Sequence, residues 1–233
     1  MSPKKAQVTK IFFLTEDVFE IHFRTEEPLE FKAGQFVTIK IADKIPPCFR
    51  AYSIASAPQP DCRNIKTCVK IVAEGRGSNW LKSLKAGTKI NFIGPSGKFT
   101  FKNPDKNSFF IATGTGVTPF LSMIEDQLKS GNKNKIHLLF GLRHIKNIIY
   151  KDFLEQLRRQ YPNFSYEITL SKPENSTWKG STGRVSQILN TQNIDTKNTD
   201  YYICGLKEMI ADVAKILKEK SVPESAIHFE QYD

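Results

Sequence analysis

A chain of 233 residues with 39% hydrophobic and 25% charged residues has the composition of an ordinary globular protein, long enough for one large domain or two small ones. It has no apolar run of membrane-spanning length and no apolar core behind Met1-Ser2-Pro3-Lys4-Lys5 to act as a secretory signal, so a cytoplasmic protein without a membrane span is predicted. The net charge of +10 is spread through the chain with no basic block interleaved with aromatics, which argues against nucleic acid and leaves a solvated Lys-rich surface or the steering of an acidic protein partner.

From residue 6 to about 101 the pattern is one of short strands. Phe19, Ile21 and Phe23 alternate with Glu20, His22 and Arg24, and the stretches 36–41 and 68–72 look alike. Breaks at Pro28, Gly34, Pro46-Pro47, Pro58-Gln59-Pro60, Gly87 and Gly94 fall at strand-length intervals, which predicts an antiparallel β-barrel. Residues 78–84 suggest one short helix, and Gly75-Arg76-Gly77-Ser78 ahead of them offers a helix N-terminus with a hydroxyl cap. Arg50-Ala51-Tyr52-Ser53 closes a barrel strand. Its arginine and tyrosine share one strand face, a pairing suited to clamping a phosphate and stacking on a flat heteroaromatic ring.

A polar linker, residues 102–107, then separates a domain at 1–104 from one at 105–233. Beyond it strands at 108–113, 136–141, 164–170, 201–204 and 226–229 alternate with helical patterns at 117–130, 151–160, 185–190 and 206–220, a βαβ series that predicts a parallel five-stranded sheet. The second domain is organised around Ile111-Ala112-Thr113-Gly114-Thr115-Gly116-Val117-Thr118-Pro119-Phe120, which reads as buried strand, tight turn and helix start. Its glycines and the unsatisfied N–H groups of a helix N-terminus form a seat for a diphosphate. In such sheets ligands bind beyond the carboxyl ends of the strands, where Gly141-Leu142-Arg143 and Cys204-Gly205-Leu206 also fall. Cys48, Cys62, Cys68 and Cys204 and the four histidines are dispersed without metal-ligand spacing, so no metal site is expected.

Arg50-x-Tyr52-Ser53, Gly75-x-Gly77-Ser78, Gly94-Pro95-x-Gly97-x-Phe99, Gly114-Thr115-Gly116-x-Thr118-Pro119, Phe140-Gly141-x-Arg143, Cys204-Gly205 and Glu230-x-Tyr232 occur in the order seen in the ferredoxin–NADP reductase family, which the chain resembles over nearly its full length. The resemblance implies a bound FAD on the barrel and a nicotinamide dinucleotide on the α/β domain. Residue by residue, it implies that Arg50, Tyr52, Ser53, Val69, Gly75, Gly77, Ser78 and Tyr232 contact FAD. Arg50, Gly77 and Ser78 would take the diphosphate, Ser78 through both N–H and hydroxyl, and Tyr52 the isoalloxazine. Gly114, Thr115, Gly116, Thr118, Arg143, Ser171, Lys172, Arg184 and Cys204 are expected to bind the second nucleotide. Ser53 near flavin N5, Cys204 near the nicotinamide and the carboxylate of Glu230 are the expected catalytic set. Asp233 follows the C-terminal aromatic Tyr232.

Two departures from the family pattern shape the expectation. The Cys-x4-Cys-x2-Cys pattern of relatives with a fused iron–sulfur domain is absent, so the next electron carrier should be a separate protein, an acidic ferredoxin or flavodoxin. Ser171-Lys172 stands where NADP-specific members often have Ser-Arg. Arg143, Lys172 and Arg184 favour NADPH, and neither turn carrying Arg143 or Lys172 sets an acid beside its cation. The alternatives are the reductase component of an oxygenase, an NAD(P)H:flavin reductase that releases its flavin, or a non-catalytic binding module.

Overall fold

Period-two alternation in the first part of the chain produces six antiparallel strands in the computed structural model, which describes residues 2–42, 45–174 and 177–232. Asp233 lies outside the described residues. The strands are β1 (Lys4–Phe13), β2 (Val18–Thr25), β3 (Phe36–Ile41), β4 (Cys48–Ser53), β5 (Asn64–Lys70) and β6 (Lys89–Ser96), ordered β4-β3-β6-β1-β2-β5. The Ala55 N–H donates to Lys66 O at 2.8 Å and the Thr67 hydroxyl donates to Ser53 O at 2.8 Å. These bonds draw the two outer strands together and close the expected barrel. Phe19, Ile21, Phe23, Val37, Ile39 and Phe92 fill it. Alternation fails at Glu20, which is buried rather than solvated, because its carboxylate is partnered by His22 Nε2 at 2.6 Å and Lys66 Nζ at 3.2 Å.

The short helix α1 (Arg76–Ser83) follows β5, but the hydroxyl cap predicted for it does not form. Gly75 is the N-cap, and Ser78 falls inside the first turn. From there its hydroxyl accepts the Val72 N–H at 3.1 Å and donates to Gly75 O at 3.2 Å, stapling the loop ahead of the helix.

After residue 106 the period changes from two to helical. The elements are β7 (Asn107–Thr113), a 3-10 turn (Gly114–Val117), α2 (Thr118–Lys129), β8 (Ile136–Leu142), α3 (Lys151–Gln160), β9 (Phe164–Leu170), β10 (Ser181–Thr182), α4 (Val185–Thr191), β11 (Thr199–Leu206), α5 (Lys207–Glu219) and β12 (Ile227–Tyr232). The sheet is parallel and ordered β10-β9-β8-β7-β11-β12, five strands as expected plus β10, whose two residues are too short to show a period. Strands β8 and β11 run past their expected ends, taking in Leu142 and Gly205-Leu206. Strand order reverses between β7 and β11, which opens a crevice at their carboxyl ends. Ile111, Leu139, Tyr201 and Ile203 pack with Val185 and Leu189 of α4 and Val213 and Leu217 of α5.

The chain divides into two compact units, Met1–Phe101 with Thr118–Asp126, and Lys102–Val117 with Gln127–Asp233. Helix α2 therefore begins in the unit of the barrel. Phe120 packs tilted against Phe99 with ring centroids 5.9 Å apart, and the buried Ser122 hydroxyl donates to Ser56 O at 2.8 Å. Gly34 has no room for a Cβ, which would stand 2.2 Å from Met123 Cε. Among the described residues no helix is long and apolar enough to cross a membrane.

Candidate functional site

The end of β4 and the start of α1 are brought together by a missing side chain. Arg50 and Tyr52 sit two residues apart and so share a face, opposite Ile39 and Val37 of β3. A Cβ on Gly77 would lie 2.8 Å from Tyr52 Oη and 2.9 Å from Arg50 Cγ, so only glycine lets the helix meet both side chains. The first N–H groups of α1 have no intrahelical partners, and the exposed Arg50 guanidinium reaches only the Phe49 carbonyl at 2.9 Å among the hydrogen bonds resolved for it. Burial outweighs the nearby Arg50 charge and pushes the Tyr52 phenol up to about 12, so it stays neutral. Ser53 is buried and its backbone is held on both sides, its carbonyl by Thr67 and the next N–H, of Ile54, by Gln35 O at 2.9 Å. Val69, expected beside these residues, has its side chain in the barrel core instead. A flat aromatic face, a guanidinium and the helix N-terminus converging on one cradle fit a dinucleotide that carries a diphosphate and a planar ring system, as FAD does.

A second cluster lies at the carboxyl ends of β7, β8 and β11. Gly116 is pressed against β11, where a Cβ would stand 2.4 Å from Cys204 O, whereas a Cβ on Gly114 meets nothing within 4 Å. The turn is thus closed on its strand side and open on the other. Gly205 and Gly141 are tight for the same reason, with added Cβ atoms 2.4 Å from Thr113 Oγ1 and 2.5 Å from Val185 Cγ1. Thr115 is half-buried in the turn, and Thr118, the first residue of α2, is wholly buried. Thr113 Oγ1 is buried with no hydrogen-bond partner among the described residues, an unmatched polar atom beside the crevice. The sequence offered one sign of it, a hydroxyl at the end of an apolar strand. Cys204 pairs in register with Ala112 on one side and Glu230 on the other. Burial first, then the Glu230 carboxylate, pushes the Cys204 thiol up and keeps it protonated. Tyr232 is half-buried at the end of β12, in register with Leu206. Open glycine backbone and an unmatched hydroxyl at a strand-order switch fit a second nucleotide.

The three cations expected to read that nucleotide follow three neighbouring strands at the same end of the sheet. Arg143 follows β8, Lys172 lies two residues beyond β9, and Arg184 lies two beyond β10 and caps α4. Pairing of β8 and β9 continues past their ends, with Ser171 N–H donating to Leu142 O at 2.9 Å and Lys172 N–H to Arg143 O at 2.8 Å. Arg143, Ser171, Lys172 and Arg184 are exposed. An acid two residues past Lys172 is drawn across to the turn after β8. Glu174 Oε1 comes within 3.1 Å of His144 Nδ1, because the turn after β9 folds back on the turn after β8.

Residues 5–101 match the family described as an oxidoreductase FAD-binding domain, and residues 110–215 the oxidoreductase NAD-binding domain. The chain is 35% identical to ferredoxin–NADP reductase B of Sorangium cellulosum over 242 aligned residues, covering 99% of this chain and 98% of that protein. It is 30% identical to the phenol hydroxylase P5 protein of Acinetobacter pittii, covering 98% of this chain but 65% of that protein. A crystal structure of a ferredoxin NADP+ reductase from Neisseria gonorrhoeae with bound FAD and NADP shares the fold, with a TM-score of 0.87 at 20% identity and 99% coverage of both chains.

Proposed function

The chain belongs to the ferredoxin–NADP reductase family of FAD- and NAD-binding oxidoreductases, and from that premise we propose that it exchanges hydride between NADPH and FAD and single electrons with a separate acidic ferredoxin or flavodoxin. The observation that carries this reading is the contact of Gly77 with Arg50 and Tyr52, which builds a cradle for a retained flavin nucleotide. When bound, FAD supplies the chemistry, taking two electrons as hydride and releasing them one at a time. The chain's own residues bind, orient and hold protons. Tyr52 offers its ring face to the isoalloxazine, while Arg50 and the N–H groups of Gly77 and Ser78 hold the diphosphate. The Ser78 hydroxyl is taken up by Val72 and Gly75, so its share is the backbone N–H, with Gly75 turning the chain into the helix. Val69, with its side chain in the core, contributes through its backbone. The Ser53 hydroxyl donates to the reacting edge of the flavin. Gly114, Thr115, Gly116 and Thr118 cradle the diphosphate of the nicotinamide nucleotide, and Cys204, kept a neutral thiol beside Glu230, borders the nicotinamide.

Gly77→Ala is the sharpest test of the first cradle. The new methyl meets side-chain atoms and no backbone, the end of Tyr52 at Oη and the stem of Arg50 at Cγ, so the fold survives while the ring and guanidinium are displaced. Stacking is worth about 1 kcal/mol and a charge-assisted hydrogen bond about 1.5–3 kcal/mol, so FAD affinity is expected to fall at least about tenfold. Flavin retained on desalting as in the wild type, with the same fluorescence titration, removes the assignment. Free flavin lost from the wild-type protein on desalting favours the flavin reductase alternative.

NADPH is read over NADH by Arg143, Lys172 and Arg184 near the 2′-phosphate, with Ser171 alongside. Arg184→Ala is expected to raise the KM for NADPH at least about tenfold, the equivalent of one charge-assisted bond, and to leave the KM for NADH nearly unchanged. Equal kcat/KM for the two nucleotides in the wild type sinks the preference.

The partner reading rests on the charge of +10. Steering between exposed charges is screened over about 8 Å at physiological ionic strength, so turnover with ferredoxin or flavodoxin should fall steeply with added salt while reduction of a neutral dye does not. Equal salt dependence for protein and dye makes the basic surface a solubility feature. The likeness to the phenol hydroxylase P5 protein supports a second reading, in which the acceptor is an oxygenase component. Faster reduction of an oxygenase component than of ferredoxin or flavodoxin decides for it.

A further inference from the structure

We propose that His144 is a specificity-determining residue, which holds the Glu174 carboxylate away from the Arg143, Lys172 and Arg184 cations so that they face a 2′-phosphate. This inference deepens the NADPH reading above and rests on it. A single ring nitrogen carries the argument. His144 Nδ1 lies 3.0 Å from Lys172 O and 3.1 Å from Glu174 Oε1. Both partners are acceptors, so Nδ1 carries the hydrogen and its N–H is shared between them. The ring is placed from its own side as well, because the His144 N–H donates to Asn147 Oδ1 at 3.1 Å and the Asn147 N–H returns to His144 O at 3.0 Å. With Lys172 N–H on Arg143 O, the two turns are laced by backbone and side chain alike.

The Glu174 side chain is mostly solvent-exposed, at 65% against 18% for His144. A mobile carboxylate freed from His144 has exposed guanidinium and ammonium groups on the neighbouring turns to pair with. Each such pairing cancels a charge that the 2′-phosphate needs, and it leaves NADH, which lacks that phosphate, unaffected. His144 acts through Lys172 and Glu174 rather than by touching the nucleotide, so it is a positioning residue.

The test uses the FAD-loaded protein with 2′,5′-ADP and 5′-ADP as probes in calorimetric titrations, beside KM and kcat for NADPH and NADH. His144→Ala is expected to weaken 2′,5′-ADP and raise the KM for NADPH by about tenfold, the order of one charge-assisted hydrogen bond, with 5′-ADP and NADH as unchanged references. Adding Glu174→Gln to His144→Ala should recover most of that loss, which a purely structural role of the histidine does not allow. Failure of the double variant to recover 2′,5′-ADP affinity, or equal weakening of both probes by His144→Ala, overturns the inference while the NADPH reading stands. A wild-type protein that binds 2′,5′-ADP no tighter than 5′-ADP overturns both.

Discussion

Replacing Ser53 by alanine is expected to slow reduction of the bound flavin by NADPH about a hundredfold, the usual loss when one pre-organised donor to a developing charge is removed, while FAD stays bound. The expectation follows from how little freedom this residue has. It ends β4, is 4% exposed, and its carbonyl and the following N–H are both held, by Thr67 and by Gln35. The backbone that carries the hydroxyl is thus held independently of it, and removing the hydroxyl leaves that backbone in place. The change should therefore appear in the rate of hydride transfer and not in cofactor retention. Anaerobic stopped-flow traces at saturating NADPH read it directly, and reduction at wild-type speed removes Ser53 from the reaction.

Gly116→Ala should be the most damaging single-methyl change in the second unit. The added Cβ meets the carbonyl oxygen of Cys204 at 2.4 Å and its carbon at 2.8 Å, backbone atoms that no rotamer change can clear. Overpacking of this kind costs about 1–3 kcal/mol. Either the turn or the end of β11 must move, and both are assigned to the nucleotide, so NADPH affinity should fall about a hundredfold, the equivalent of about 3 kcal/mol. Gly114→Ala is the control. Its methyl enters open space, and its φ of +54° costs only about 1–2 kcal/mol in a non-glycine residue. It should weaken the nucleotide with a smaller loss in Tm. A Gly116→Ala protein with wild-type Tm and nucleotide affinity contradicts the packing described for the turn.

Much of the architecture was legible in the residues because hydrophobic period reports directly on which face is buried. The alternation of Phe19, Ile21 and Phe23 became core, and the helical pattern at 206–220 put Ile210, Val213 and Leu217 there too. What escaped depended on pairing between distant segments. Glu20 reads as solvent-facing until His22 and Lys66 surround it. Ser78 looks like a cap, and its hydroxyl is drawn back to the loop instead. Strand β10 is too short for any period, yet it is the strand that sets Arg184 beyond the same sheet end as Arg143 and Lys172. Motif order located the candidate glycines, but the reason each must be glycine is a neighbour elsewhere in the chain, Tyr52 for Gly77 and Cys204 for Gly116.

Because residues Thr118–Asp126 belong with the barrel although they follow β7, the first unit is discontinuous along the chain. On the ribosome, its strands emerge long before the helix that supplies Phe120 to Phe99, Ser122 to Ser56 and Met123 to the neighbourhood of Gly34. Domains generally fold as units during synthesis, at about 5–20 residues per second. Here the nascent barrel must wait for a segment that is also the crossover between β7 and β8, so neither unit can be completed and released as a finished module before the other has begun. A transplanted FAD module cut after β6 would leave that helix behind, and a working graft has to carry the helix with the barrel.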